Sequence, residues 1–247
     1  MVRLVNIRDE LKHTPWFAHL HENCDIDSRP SDIWRRRSWE WGEERIAKIW
    51  FVPQDVDAAE GNWSYLLESI EQLRGGLERL GFLVEVFDDG SREGLAAMLR
   101  GRADYRFLGA HGDESGVTAV DGNVEWNEIL EMIGPTGLIH VDSCTSFDAY
   151  AVDEEGPFPF RDWLPKHARA AILMHKESHA FPGRSSLTDE SFEVSKLLRI
   201  LEYSLKEGFR NSIERYRREM GEMMGWDAGA FVDHMVAVGD PDWGISG

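Results

Sequence analysis

The chain has 247 residues, of which 42% are hydrophobic and 29% are charged. This composition is typical of a globular protein and argues against collagen, coiled coil and disorder, and the length suits one α/β domain with an extension. The net charge of -18 argues against a nucleic-acid-binding surface, because such surfaces need clustered Lys and Arg.

Two cysteines occur, Cys24 and Cys144, which are too few for a disulfide framework or a four-ligand zinc site. No stretch reaches the ~18 apolar residues that a membrane-spanning helix needs. We therefore expect a cytoplasmic protein in a reducing compartment, with no membrane association, no cofactor and no metal site.

Residues 1–45 have no clear periodicity and form an N-terminal extension of unknown role. They contain a basic cluster, Arg35 to Arg37, surrounded by tryptophans. Because exposed tryptophan is unfavourable, we expect the extension to pack on the main domain, residues 46–247, or on a partner. The tryptophans are Trp16, Trp34, Trp39 and Trp41.

From Lys48 onward, apolar runs of strand length alternate with segments of helical periodicity. The alternation predicts an α/β fold, with a mainly parallel central sheet that is flanked by helices on both faces. The predicted strands cover residues 49–52, 82–87, 105–110, 137–142 and 168–175. The predicted helices cover residues 62–80, 92–100, 124–133, 188–206 and 209–235.

Two of the predicted strands end in residues that can do chemistry together. One strand leads into His111 and Gly112, and another leads into Cys144. Functional groups collect at the C-terminal ends of parallel strands, so an imidazole and a thiol there can form a base and nucleophile pair. Gly112 has no Cβ, so its N–H and that of Cys144 could together hold a developing oxyanion.

The order of these motifs resembles the caspase and metacaspase clan of cysteine peptidases, which includes bacterial caspase-like and CHAT-type proteins. The resemblance spans roughly residues 46–206 and includes the segments FLGAHGDESGVTAVDG and GLIHVDSC. In that clan a His-Gly pair follows the third strand, an Asp-Gly hairpin comes next, and the nucleophilic Cys closes the fourth strand.

The resemblance implies a three-layer caspase-like (caspase-hemoglobinase) fold and a cysteine endopeptidase. It implies that His111 is the base, that Cys144 is the nucleophile, and that the N–H groups of Gly112 and Cys144 are the oxyanion donors. One feature departs from the clan, because the His and the Cys lie closer in sequence than the roughly 50 residues typical of caspases. The departure puts the role of the intervening loop in doubt.

Asp142 is the candidate for substrate recognition. The Asp-Ser-Cys sequence is similar to the metacaspase motif, whose Asp lines the S1 pocket, so the resemblance implies cleavage after Arg, or less readily Lys. The other possibility is that Asp142 only bonds a local backbone group. Asp55 and Glu177 follow other strands and could add negative charge to the same rim.

The substrate implied is a protein or peptide with a basic P1 residue. Relatives in the clan are often latent until they are processed or activated by a partner protein, and residues 145–167 are predicted to form an exposed loop. Arg161 and Lys166 are the candidate processing sites, and an activating or inhibitory protein partner is also expected. By analogy with the clan, a role in bacterial defence or regulated cell death is expected.

Two other kinds of function remain to be weighed. The first is a catalytically silent caspase-like scaffold or interaction module. The presence of both dyad residues, His111 and Cys144, argues against it. The second is a doubly wound nucleotide-binding enzyme. The first strand is followed by Pro53-Gln54-Asp55, which is acidic and has no glycine-rich phosphate loop, so the second is disfavoured.

Overall fold

The computed structural model describes residues 32–53, 67–113, 115–143, 146, 166–174, 192–224 and 235–245. Its elements, in chain order, are β1 (Ile33–Trp34), β2 (Arg45–Phe51), α1 (Leu67–Arg79), β3 (Phe82–Phe87), α2 (Arg92–Leu99), β4 (Ala103–Gly109), β5 (Gly116–Ala119), β6 (Gly122–Glu125), α3 (Trp126–Met132), β7 (Thr136–Asp142), β8 (Ala168–Met174), α4 (Phe192–Glu207), α5 (Phe209–Met224) and β9 (Met235–Gly239).

Within the described residues, seven strands form one sheet in the order β1-β9-β8-β7-β4-β2-β3. Strands β8, β7, β4, β2 and β3 are mutually parallel, whereas β9 runs antiparallel to β8. Strands β5 and β6 form a separate antiparallel hairpin. The prediction of a mainly parallel α/β sheet is confirmed.

Helices cover both faces of the sheet, so the domain has three layers. The first face packs against α1, α4 and α5, and the second face packs against α2, α3 and the β5–β6 hairpin. Each helix presents an apolar stripe to the sheet, as the helical periodicity of its sequence predicts. No described helix is long and apolar enough to cross a lipid bilayer.

The described part of the N-terminal extension packs against the sheet. The indole of Trp39 donates a hydrogen bond to the buried Asp104 carboxylate at 2.8 Å, and the backbone N–H of Ile46 donates to its other oxygen at 2.8 Å. Trp34 and Trp41 pack against the hydrophobic core on the first face of the sheet. The expected packing is therefore confirmed for these three tryptophans, whereas Trp16 lies outside the described residues.

Two predicted helix boundaries are wrong. The helix predicted over 209–235 ends at Met224 as α5, and Met235 instead begins β9. Its sequence MVAVG alternates β-branched and small apolar residues, which favour a buried strand. The helix predicted over 124–133 begins only at Trp126, because residues 124–125 belong to β6 and pair with β5.

Candidate active site

The C-terminal ends of β4 and β7 lie side by side in the centre of the sheet. The two strands are parallel, and Gly109, the last residue of β4, pairs with Asp142, the last residue of β7. The pairing continues one residue further, where the N–H of Ala110 donates to the carbonyl of Asp142 at 3.2 Å. The residues that follow the two strands therefore begin from neighbouring positions.

His111 is solvent-exposed and is held through its backbone. Its carbonyl accepts a hydrogen bond from the N–H of Thr118 in β5 at 2.8 Å. The next residue, Gly112, forms an isolated antiparallel bridge with Val117 of the same strand. The β5–β6 hairpin thus folds back on the segment that carries His111.

Only glycine fits at position 112. A Cβ there would overlap the hydroxyl of Ser143 and would lie 2.6 Å from the carbonyl oxygen of Gly116. Real Cβ atoms do not approach backbone oxygens so closely, so a larger residue would force the His111 segment away from the end of β7. The close contact between Gly112 and Ser143 joins the two chain segments at the edge of the sheet.

Asp113 fixes the turn that leads from Gly112 into the hairpin. One carboxylate oxygen accepts hydrogen bonds from the N–H of Ser115 at 2.7 Å, from its hydroxyl at 2.6 Å and from the N–H of Gly116 at 3.2 Å. The hydrogen bonds from Ser115 lower the pKa of Asp113 below its ordinary value, and the bond from the Ser115 hydroxyl contributes most. The backbone carbonyl of Asp113 also accepts from the indole of Trp126 at 3.0 Å.

Side chains alternate between the two faces at the end of β7. Leu138 packs in the core on the first face of the sheet, and Val141 packs in the core on the second face. Because the side chains alternate, His140 and Asp142 lie on the first face. Both are buried, with His140 0% exposed and Asp142 3% exposed. Ser143 is also buried, and its hydroxyl has no hydrogen-bond partner within the described part of the chain.

His140 lies in an apolar setting beneath Asp142. Its ring stands edge-on to that of Phe107, with 5.4 Å between the ring centroids. Burial, with a smaller contribution from the charge of Lys196, holds the pKa of His140 well below its ordinary value. The side chain is therefore a neutral imidazole at physiological pH.

No family model matches this sequence, and neither does any curated protein. Among solved structures the chain is similar to the crystal structure of the Arg-specific cysteine proteinase gingipain R (RGPB), with a TM-score of 0.56 and 14% identity. The similarity covers 80% of this chain and 46% of the gingipain R chain, so this chain spans about half the length of that protein. The fold is caspase-like.

In this caspase-like fold, the predicted residues fall into two groups. His111, Gly112 and Asp142 lie together at the C-terminal ends of β4 and β7. The remaining site candidates, Cys144, Asp55, Glu177 and Arg161, lie outside the described residues.

Lys166 lies far from His111, Gly112 and Asp142. It is exposed and just precedes β8, whose first residue, Ala168, pairs with Thr136 at the start of β7. Lys166 is therefore at the N-terminal end of the parallel strands, whereas His111 is at their C-terminal end.

Asp113 was not among the residues predicted for the site. The signal was present, because an Asp followed at short spacing by Ser and Gly is typical of a turn in which the carboxylate accepts backbone N–H bonds.

Proposed function

We propose that the protein is a caspase-like cysteine endopeptidase that uses His111 and Cys144 and cleaves after basic residues. The observation that supports this most strongly is the adjacency of β4 and β7, with Gly109 paired to Asp142. The pairing brings His111 and Ser143, the residue before Cys144, to the same edge of a caspase-like sheet. The alternative, a silent scaffold of the same fold, is distinguished by the experiments below.

The covalent chain limits how far Cys144 can be from His111. Consecutive Cα atoms are ~3.8 Å apart, so Cys144 begins one such step from Ser143, which itself contacts Gly112. The proposal requires the thiol and the imidazole to come within hydrogen-bond distance from these neighbouring chain segments. In the proposed reaction His111 accepts the thiol proton, and the sulfur attacks the peptide carbonyl carbon. The C–N bond then breaks as the proton passes to the leaving amine, which leaves a thioester on Cys144. Water, deprotonated by His111, hydrolyses the thioester, releases the carboxylate product and regenerates the thiol.

The oxyanion of the tetrahedral intermediate is proposed to bind the N–H groups of Gly112 and Cys144. Support comes from the position of Gly112, whose missing Cβ lets the backbone run against Ser143. Preorganised donors of this kind contribute about 3 kcal/mol each to transition-state stabilisation.

Asp142 is proposed to recognise the P1 side chain. It is a buried carboxylate at the same strand end, and gingipain R, which has the same fold, is Arg-specific. A guanidinium pairs with a carboxylate through two parallel hydrogen bonds, which favours Arg over Lys. Asp55 and Glu177 are proposed to add negative charge at the rim, and the net charge of -18 would also attract basic peptides.

Control of the activity is part of the same proposal. The enzyme is proposed to be latent until it is processed at Arg161 or Lys166 or until a partner protein binds, and to act in bacterial defence or regulated cell death. Lys166 is exposed, which a processing site requires. Intact mass spectrometry of the wild type and Cys144→Ala after incubation tests self-processing, which predicts two fragments in the wild type only.

Fluorogenic peptides with Arg, Lys, Asp or Leu at P1 test the activity. We expect cleavage after Arg, weaker cleavage after Lys, and none in Cys144→Ala. Cys24→Ala is the matched control and should retain the wild-type rate. Absence of cleavage, together with absence of Cys144 labelling by an Arg-directed electrophile, would favour the scaffold instead.

Replacement of Asp142 tests the specificity separately. Asp142→Ala should lose cleavage after Arg while Cys144 still reacts with a small alkylating agent. Asp88→Ala is the matched control, because Asp88 is an exposed carboxylate just after β3, at the far edge of the same sheet. If Asp142→Ala cleaved Arg peptides as the wild type does, the assignment of Asp142 to S1 would be wrong while the dyad could stand.

A further inference from the structure

Ser143 carries a hydroxyl that has no hydrogen-bond partner within the described part of the chain. The residue is only 2% exposed, so bulk water does not take the place of that partner. Leaving a buried hydroxyl unpaired is unfavourable, and a group of this kind in a folded protein is a candidate for a role in binding or catalysis.

The backbone that carries this hydroxyl is held in place on both sides. Ser143 directly follows β7, which ends at Asp142. Its carbonyl accepts a hydrogen bond from the N–H of Ser146 at 3.3 Å, and the hydroxyl of Ser146 donates to the carbonyl of Val141 at 3.3 Å. The Ser143 hydroxyl can therefore change position only by rotation of its own side chain and of its O–H bond.

The backbone N–H of Gly112 points away from the β5–β6 hairpin. On one side of Gly112 the carbonyl of His111 accepts from the N–H of Thr118, and on the other side the N–H of Asp113 donates to the carbonyl of Gly116. In an antiparallel pair the residue between two such bonds directs its own N–H and carbonyl to the opposite side. The Gly112 N–H is thus directed at an acceptor outside the hairpin, as an oxyanion donor must be.

The Ser143 hydroxyl lies next to this N–H group. A Cβ on Gly112 would overlap the hydroxyl oxygen. Because the Cβ and the nitrogen of one residue are ~2.5 Å apart, the overlap puts the hydroxyl oxygen within about 4.5 Å of the Gly112 nitrogen. Hydrogen bonds to oxygen are ~2.7–3.0 Å long, so a single oxygen atom can accept from both groups at once.

We propose that the Ser143 hydroxyl is a further oxyanion donor, which binds the negative oxygen of the tetrahedral intermediate together with the N–H of Gly112. The inference rests on the proposed function, because the oxyanion is formed by attack of Cys144 on the substrate. The hydroxyl keeps its proton throughout: it donates a hydrogen bond while the oxygen carries charge and weakens that bond when the carbonyl re-forms. A donor that is already shielded from water does not have to exchange a water molecule before it acts.

Packing alone would also require a small residue at position 143, because Gly112 runs against it. Alanine meets that requirement as well as serine does, since it lacks only the hydroxyl oxygen. The substitution Ser143→Ala therefore removes the donor and leaves the packing, so it separates the two roles.

Ser143→Ala and Ser204→Ala form a matched pair of variants. Ser204 is also a buried serine, but its hydroxyl donates to the carbonyl of Ile200 at 2.7 Å within α4. With a fluorogenic Arg peptide we expect kcat/KM to fall roughly a hundredfold in Ser143→Ala and to keep the wild-type value in Ser204→Ala. Alkylation of Cys144 by iodoacetamide forms no oxyanion, so its rate should be the same in all three proteins.

Equal cleavage by the wild type and Ser143→Ala would overturn the inference and leave the proposed peptidase standing. A parallel loss of cleavage and of Cys144 alkylation would overturn it too, because Ser143 would then act on the thiol. Thermal unfolding completes the test, since removal of an unpaired hydroxyl should not lower stability, and a Ser143→Ala chain that does not fold would contradict the inference. A wild type that neither cleaves nor is labelled at Cys144 would remove the proposed function, and the inference with it.

Discussion

Asp113 closes the turn that follows the His111 segment, and we expect it to position His111 without taking part in the proposed chemistry. Its carboxylate accepts three hydrogen bonds from residues 115 and 116, which close the turn after Gly112. A positioning residue of this kind affects rate through geometry, because small displacements of a catalytic group lower the rate steeply.

Asp113→Asn should keep the turn, because the amide oxygen can accept the same hydrogen bonds, whereas Asp113→Ala should lose it. We expect kcat/KM for an Arg peptide to fall roughly tenfold or more in Asp113→Ala and to change little in Asp113→Asn. Equal rates in Asp113→Ala and the wild type would show that the turn does not position His111.

The lowered pKa of Asp113 also predicts a pH dependence. Because hydrogen bonding favours the charged form, its contribution to stability is present above the ordinary aspartate pKa and is lost as pH falls through the lower pKa of the folded state. The difference in unfolding free energy between the wild type and Asp113→Asn should therefore be constant near neutral pH, and it should change only in strong acid.

His140 predicts a second pH effect, of larger size. Burial favours its neutral form, so the unfolded chain takes up a proton below a pH of about 6.5 while the folded chain does not. The wild type should lose about 1.4 kcal/mol per pH unit below that value, relative to His140→Leu. Denaturant unfolding at several pH values measures this, with His167→Gln, at an exposed histidine, as the control. A pH-independent difference between wild type and His140→Leu would contradict it.

At the scale of elements, the β5–β6 hairpin holds the backbone of the His111 segment. It bonds the backbone of His111 through Thr118, bridges Gly112 through Val117 and is anchored to α3 by the bond from the N–H of Trp126 to the Ser115 carbonyl at 3.0 Å. At Gly112 the same segment runs close to both the Gly116 carbonyl and the Ser143 hydroxyl.

A pair of glycine substitutions tests this arrangement. Gly112→Ala should lower peptidase activity strongly, because its Cβ would meet backbone that cannot easily move. Gly75→Ala is the matched control. Gly75 lies within α1, and a Cβ there would meet only the end of the Arg79 side chain at 3.6 Å, so we expect a gain of about 0.5–1 kcal/mol in stability. Unchanged activity in Gly112→Ala would show that the hairpin contact is not needed.

The elements that were predicted well from sequence are those with a strong period or a buried apolar run. β3 was predicted with its observed bounds, and β4 and β7 were placed to within two residues. β9 could not be predicted, because the sequence around it has only weak periodicity. Its residues form a strand because they pair with β8 in the interior of the fold. The hairpin was implied only by the resemblance, since β5 and β6 are each four residues long.

At the scale of the whole molecule, the sheet order brings together residues that are distant in sequence. β4 and β7 are neighbours although a hairpin and a helix separate them along the chain. The pairing of Gly109 with Asp142 follows the expectation that His111 and Asp142 share one edge of a parallel sheet. The ion pair between Asp32 and Arg217 could not be predicted, because the two residues lie 185 residues apart and no local pattern links them.

The central claim is that His111 activates Cys144, and the rate at which iodoacetamide alkylates Cys144, followed by peptide mass spectrometry, tests it without any substrate. We predict that Cys144 in the folded wild type reacts faster near neutral pH than in the denatured chain, and that His111→Ala slows it by roughly tenfold or more while His167→Ala does not. A Cys144 that reacts equally fast in wild type and His111→Ala would contradict the account.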